Sequence, residues 1–511
     1  MNDVESDDGG TNLISFLGTS PYEETFYQTS DGRGWRTRYV AQAICKLLAA
    51  TSVKILATKA AENKHRTGLE LAFKEAGGPA LDFVPIPDGR DESQLWQQFQ
   101  IVVETLKGLS GSESRVVVDI THGFRAQPFF AAAALMFSYM AGDLDISRAQ
   151  VVYGEFRKEV ASSPIWDITP FLNLLEWSYC VGAFLKAGHG VDLIRVAKTT
   201  DSKIRKQMVE TGGKGSKAAV RLSETGKLIK AVEDFSNDLA LLRVGSLITG
   251  TGKETKGSAA KLQEAIFNYA EEAKEHLPPL AAVLEKMGEM PRPLVADTLV
   301  GDSGQRAMRS LAELYLKLRR YPEAAVVVRE AWVSHYADDP RGVDLKGTNY
   351  KQDLRKKAEE SLLKRHPQLL MTIGDVRNDI EHGGFRKNPK PASALKGSVG
   401  KLVASLDTLP TTWFVSRHPG AKEWAAENGL KVDKQVDHLN ISFIKKGDVV
   451  LGTLPVSLAA EVCARGGQYF HLTLEVPPEV RGQELTVGDM RKYGARLEPF
   501  RVEALDKETS G

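Results

Sequence analysis

The chain has 511 residues, of which 42% are hydrophobic and 26% charged, and a formal net charge of +1. This length exceeds one ordinary core and predicts about two to four globular domains. The near-neutral balance excludes a global basic field that would recruit polyanions, so any nucleic-acid contact must come from local patches. Cys45, Cys180 and Cys463 are dispersed and odd in number, which predicts reduced thiols in a cytoplasmic setting, with no disulfide frame and no zinc spacing. The acidic opening MNDVESDDGG lacks the pattern of a signal peptide. No apolar run reaches the ~18 residues of a membrane span.

Elements follow in three textures. Up to about residue 170, short apolar or β-branched runs alternate with helical patterns. LISFLG (13–18), VKILAT (53–58), LDFVPI (81–86), RVVVDI (115–120) and AQVVYGEF (149–156) read as strands. That alternation predicts a parallel sheet covered by helices. Residues 171–408 read as almost entirely helical, with apolar residues at three- and four-residue spacing. Gly- and Lys-rich loops interrupt them at 210–217, 250–258 and 338–351, and GGFRKNPKPASALKG (383–397) reads as an exposed basic loop. Residues 409–511 return to alternation. TWFVSR (412–417), GDVVLGTLP (447–455) and YFHLTLEVP (469–477) read as strands, with helices GAKEWAAENG and VSLAAEVCARGG between them. The predicted fold class is therefore multidomain: an N-terminal α/β Rossmann-like domain, an all-α middle and a small C-terminal α/β domain.

GTGKET (250–255) has the look of a phosphate loop but fails as one. Leu247 stands where the first glycine is required, and Glu254 where a magnesium-binding hydroxyl is required. Two other turns carry more chemistry. In FLGTSPY (16–22), Gly18, Thr19 and Ser20 follow the first strand with two hydroxyls and backbone N–H groups, suited to phosphate or ribose. An ordinary strand-to-helix turn has the same sequence. In VVVDITHGFRAQP (116–128), the strand ends at Asp119. Thr121, His122, Gly123 and Arg125 then combine hydroxyl, imidazole, glycine and guanidinium, a set suited to a phosphodiester. A structural histidine is the other reading of His122. Two such turns at strand C-termini of one sheet point to a ligand site.

FLGTSPYEETFY and DITHGFR resemble the CRISPR-associated Rossmann-fold (CARF) sensor domain. Specifically, they resemble the subfamily named for its Asp-x-Thr-His-Gly motif, here Asp119, Thr121, His122 and Gly123. SSPIWDITPFLNLLEWSYCVGAF (162–184) is similar to that subfamily's exit from the sensor. The resemblance implies a homodimer that binds one cyclic oligoadenylate ring.

RNDIEH (377–382) resembles the Arg-x4-His motif of HEPN ribonucleases, with Asn378 after the arginine. A helix C-terminus capped by His382 before Gly383 is the plain alternative. Five positions along a helix place Arg377 and His382 roughly 140° apart. One regular helix cannot clasp a phosphate with both, whereas two helices meeting at a dimer interface can line one cleft. RNA supplies its own 2′-OH nucleophile. His382 can move the proton and Arg377 can stabilise the pentacoordinate phosphate, with Asn378 and Asp379 as orienting groups.

WFVSRHPGAKEW, DHL and the stretch 447–486 resemble a third, smaller CRISPR-associated family whose members are reported as ring nucleases. Ser416, Arg417 and His418 are its candidate catalytic residues. Asp437, His438, Gly452, Thr453, Leu454 and Pro455 are its candidate ligand-binding residues. Together the resemblances imply an RNase activated by cyclic oligoadenylate, without metal or cofactor, acting on single-stranded RNA. Both flanking families are associated with cyclic tetra-adenylate. No membrane partner and no stable complex with a CRISPR effector are expected. Two alternatives stay open: a ring-binding regulator with an inactive nuclease, and a helical RNA-binding scaffold.

Overall fold

The computed structural model describes residues 10–109, 114–123, 126–158, 160–210, 216–275, 277–337, 343–345, 350–480 and 482–504. The chain forms two compact units. One comprises residues up to Gly182 with Arg195–Ala218 and Glu271–Val283; the other comprises Ala183–Ile194, Ala219–Ala270 and everything from Leu284 on.

The first unit is built on eight strands: β1 (Thr11–Leu17), β2 (Thr25–Gln28), β3 (Gly34–Thr37), β4 (Ala50–Ala57), β5 (Leu81–Pro85), β6 (Arg115–Asp119), β7 (Ala149–Gly154) and β8 (Ser163–Asp167). Their order is β3-β2-β8-β7-β6-β1-β4-β5. From β7 to β5 all neighbours are parallel. The central strands are apolar on both faces, as a covered parallel sheet requires. Leu13, Val53, Ile55 and Val117 enter one core, while Ile14, Phe16, Leu56, Val116 and Val118 enter the other. The chain lays β1 centrally, moves out to β4 and β5, then returns to place β6 on the other side. Strand order therefore reverses between β1 and β6, and their C-terminal ends open a crevice there.

All five predicted strands are present. Three others escape the sequence pattern. β2 and β3 form a four-residue hairpin closed by a turn in which Thr29 N–H donates to Arg33 O (2.9 Å) and Gly32 has φ +87°. β8 carries Pro164 and runs antiparallel to β7, where a proline lowers any strand prediction.

The middle is helical, as expected. The last part of it packs helices Gly301–Lys317, Tyr321–His335, Gln352–Arg365, Pro367–Glu381 and Ala392–Ser405. The predicted basic loop is shorter than expected: residues 392–405 are helical, since Pro391 supplies a start and Ala392–Ser405 a run that buries Val399, Leu402 and Val403.

The C-terminal domain has β9 (Thr412–Val415), β10 (Lys434–Val436), β11 (Val449–Gly452), β12 (Gln468–Thr473) and β13 (Arg496–Phe500), in the order β10-β9-β11-β12-β13. β13 alone is antiparallel. The two strands absent from the sequence reading are short or polar edges. Here too strand order reverses, between β9 and β11. Gly452 has φ +130°, and a Cβ there would lie 2.2 Å from Val415 O, so only glycine lets these strand ends come so close.

Candidate functional site

The two predicted sensor turns follow β1 and β6, the neighbouring strands of the first crevice. They touch: a Cβ on Gly18 would lie 3.1 Å from His122 O. Asp119 is fully buried and works inward. It accepts Ser15 Oγ–H (2.6 Å), Thr121 N–H (2.9 Å) and the Thr121 hydroxyl. Thr121 Oγ1 in turn accepts Gly154 N–H from the end of β7 (2.8 Å). Asp119 and Thr121 thus brace the turn, and their polar atoms are engaged within the protein.

His122 is the group that faces outward from this brace. Its ring stacks on Tyr22 at 4.3 Å between centroids, and Tyr22 stacks on His65 at 4.5 Å. Burial pushes the His122 pKa down, with Asp119 opposing the shift and His65 adding to it. The imidazole is neutral near pH 7, and its Nε2 is buried without a hydrogen-bond partner among the described residues. A buried polar atom left this way carries a desolvation cost that a ligand would remove. Gly18 N–H is engaged by Tyr22 Oη (2.8 Å), so it is not free for phosphate as the sequence suggests. Lys64 Nζ donates to Thr19 O (2.6 Å) and His65 Nε2 lies 2.9 Å from Ser20 O, pinning the first turn to helix Lys59–Glu75. Thr19 and Ser20 are exposed. Gly123 packs against Gln127 at the next helix start. Arg125 lies outside the described residues. Sequence reasoning missed His65, which reaches the site from a surface-patterned helix without any motif of its own. A hollow of about 460 Å³ beside Tyr39, lined also by Trp35, Arg36 and Arg38, adjoins this aromatic cluster.

Arg377 lies just before the last turn of helix Pro367–Glu381, Asn378 lies in that turn, and His382 is its C-cap. Pro367 starts the helix, and Ile373 and Val376 bury its inner face. Gly383 and Gly384, at φ +60° and +77°, end it. His382 and Asn378 are exposed. Arg377 is half-exposed and pairs with Glu381 at 3.3 Å. The capping reading and the motif coexist, because the cap uses the backbone and leaves the imidazole in solvent. Asp379 does not orient the pair. It is 1% exposed and accepts Lys390 N–H (3.0 Å), pinning the following loop. Asp375 ties down the same loop through Arg386 and Lys390, both at 2.7 Å, and these bonds lower its pKa. Two of the loop's cations are therefore neutralised locally.

In the C-terminal domain the turns after β9, β10 and β11 open on one edge. Ser416 Oγ accepts His418 N–H (3.2 Å), and Pro419 then begins a helix. Arg417, His418, Asp437 and His438 are exposed. Lys422 Nζ bonds Asp437 (2.8 Å) and is the main cause of that carboxyl's lowered pKa, with His438 and Arg417 contributing. These charges share one neighbourhood. Thr453 and Pro455 are exposed beside it, whereas the Leu454 side chain belongs to the core, and Gly452 serves close packing. A groove of about 1100 Å³ elsewhere on the domain is lined by Ser457, Glu461, Gln468 and Phe500. It runs along helix Val456–Ala464 and β12–β13, from Ser457, two residues past Pro455, to Gly466 and Gly467 before β12, and Tyr469 also lines it. Among the described residues, no helix is long and apolar enough to cross a membrane.

A family model described as "Putative CRISPR-associated protein (Cas_VVA1548)" matches residues 413–503. It covers nearly all of the C-terminal domain and none of the rest. No curated protein matches the chain.

Proposed function

We propose that the chain is a homodimeric, ring-activated ribonuclease of CRISPR defence that also destroys its activator. In this reading the N-terminal crevice binds a cyclic oligoadenylate, most simply cyclic tetra-adenylate. Arg377 and His382, from two copies of helix Pro367–Glu381, cleave single-stranded RNA. The C-terminal edge opens the ring and ends the response. An RNase without sequence preference endangers its own cell, which is the reason to give its activator a short life.

The observation that carries the reading is the convergence of the Gly18–Ser20 and Asp119–Gly123 turns at the reversal of strand order, where the buried His122 Nε2 has no partner among the described residues. The family match over the last domain supports the CRISPR setting. Dimerisation is supported by an exposed apolar face on helices Glu92–Lys107 and Gln127–Met140. It presents Trp96, Phe129, Phe137 and Met140, with Phe129 73% exposed, which is more than scattered surface apolars explain.

At the RNase site, His382 takes or gives the proton as the 2′-oxygen attacks its own phosphate, and Arg377 balances the added negative charge. The product would carry a 2′,3′-cyclic phosphate. A second reading, a ring-binding regulator with a silent nuclease, draws on the Arg377–Glu381 pair, which partly occupies the guanidinium. The test is RNA cleavage with cyclic tri-, tetra- and hexa-adenylate and without ring. Cleavage that depends on one ring supports the first reading; ring binding with no cleavage supports the second.

A further inference from the structure

We propose that His471 is the general base with which the C-terminal domain opens the ring, and that Tyr469 fixes its tautomer. This rests on the reading of that domain as a ring nuclease. His471 lies on β12 and was read from sequence only as a strand residue. Its register partner on β11 is Gly452, whose own partner on β9 is Val415. Gly452 and Val415 are the last residues of the two strands at which strand order reverses. His471 is therefore level with the mouth of the second crevice, about 5 Å from one strand end and about 10 Å from the other.

The hydrogen bonds around it decide which nitrogen is basic. Tyr469 Oη lies 2.9 Å from Leu454 N, 3.1 Å from Gly452 O and 2.7 Å from His471 Nδ1. A backbone N–H can only donate and a carbonyl can only accept. The phenol has one proton. All three bonds are made only when that proton goes to Gly452 O and both phenol lone pairs accept. One accepts from Leu454 N–H, and the other must accept from Nδ1–H. In the neutral imidazole the free lone pair is then on Nε2, which is the basic atom. Burial raises the Tyr469 pKa, so the phenol keeps its proton and goes on donating to Gly452 O. The same phenol clamps the turn after β11 from both sides, through Gly452 and Leu454. It thus couples the orientation of His471 to the position of the exposed Thr453.

Opposite His471 on β13 stands Glu498. Bonds from Thr473 and Arg496 lower its pKa, and His471 adds to the shift. A carboxylate there favours the imidazolium that forms when Nε2 takes a proton. The step balances as follows. An adenylate 2′-OH gives its proton to Nε2 as the 2′-oxygen bonds the adjacent phosphorus. The P–O5′ bond breaks and the 5′-oxygen takes a proton from water. The imidazolium then returns its proton to water. The product is a linear oligoadenylate with a 2′,3′-cyclic phosphate, and Arg417, two residues past the end of β9, is the candidate fixed cation for the phosphate.

The test uses the full chain and labelled cyclic tetra-adenylate. His471→Gln should lower kcat for ring opening by about 100-fold or more, with KM within a few-fold. Tyr469→Phe, which removes one oxygen, should lower kcat about tenfold and displace the acid limb of its pH profile. Imidazole should restore part of the activity of His471→Gly. Melting temperatures of all three check folding, and Tyr469→Phe carries the test if His471→Gln does not fold. Ring opening by His471→Gln within threefold of the parent, or a Tyr469→Phe profile that overlays it, overturns the assignment while sparing the reading of the domain. A parent chain that leaves the ring intact overturns that reading, and the assignment with it.

Discussion

Two sheets in this chain end in the same topological device and furnish it differently. At the crevice between β1 and β6, a neutral histidine lies beneath an aromatic ring, its turn braced by a buried carboxylate. At the crevice between β9 and β11, Arg417, His418, Asp437 and His438 stand in solvent around Lys422. Enclosed, desolvated groups with rigid backing suit holding a ligand, because an orphaned buried atom gains most from a partner. Exposed charges near a titratable imidazole suit moving protons and neutralising a phosphate. Strand-order reversal marks where a ligand goes; the side chains decide whether it is kept or cut.

The largest expected effect lies at neither edge. His382→Ala should lower ring-dependent RNA cleavage by about 10²–10⁴-fold, while ring binding, measured by calorimetry, stays at the parent value. Cleavage near the parent rate would remove the helix-end motif from the mechanism.

Next is the enclosed edge. His122→Ala should weaken ring binding and shift the activation curve to higher ring by roughly 10–100-fold, the scale of about 1.5–3 kcal/mol for bonds to a charged group. Asp119→Asn should also weaken binding, but through the brace, and so should lower the melting temperature as well. If His122→Ala activates at the parent ring concentration, the ring sits elsewhere and the comparison fails.

A smaller effect tests whether the exposed edge is an independent module. Lys431 Nζ binds the carbonyls of His335 and Ala337 at the end of helix Tyr321–His335, and Lys445 Nζ binds Asp407 O at 2.7 Å. A cation at a helix C-terminus contributes about 0.3–1 kcal/mol. Lys431→Met should therefore lower the melting temperature by no more than a few degrees. A chain ending at Leu409 should still be activated by the ring. Loss of activation on truncation would make the last domain part of the RNase fold.

A further effect is on pH. Burial, with help from Lys431, His366 and Arg365, pushes the His335 pKa down to about 3, against about 6.5 in an unfolded chain. Between these values the unfolded state binds more protons, so this residue's share of stability is complete above about pH 6.5 and is lost as pH falls towards 3. His335→Gln should flatten the rise in melting temperature between pH 4 and 7. An unchanged slope would assign it to other groups.

The parallel core was legible because RVVVDI and its kin are buried on both faces, and a strand apolar on both faces leaves a continuous run. Strands that escaped are short, edge-lying or carry a proline, as β8 does at Pro164, so local pattern is weak there. The candidate edges were legible as turns after strands. Their internal wiring was not, because it is made across the sheet. Asp119 bonds Ser15 on the neighbouring strand, Thr121 bonds Gly154, and Tyr22 packs between His122 and His65 from other elements. Leu454 shows the converse: it belongs to a polar-looking turn, yet its side chain is core.

The division of labour between the two edges is tested most directly by a limiting dose of labelled cyclic tetra-adenylate, with ring and RNA followed in the same reaction. The parent chain, His122→Ala and Arg417→Ala/His418→Ala are compared. The account predicts that the parent's RNA cleavage decays as the ring is opened and revives on re-dosing. His122→Ala should respond poorly to the dose yet still open the ring. Arg417→Ala/His418→Ala should cleave RNA without decay while the ring stays intact. Decay at the parent rate in that last variant, with the ring opened on the same schedule, would contradict the account.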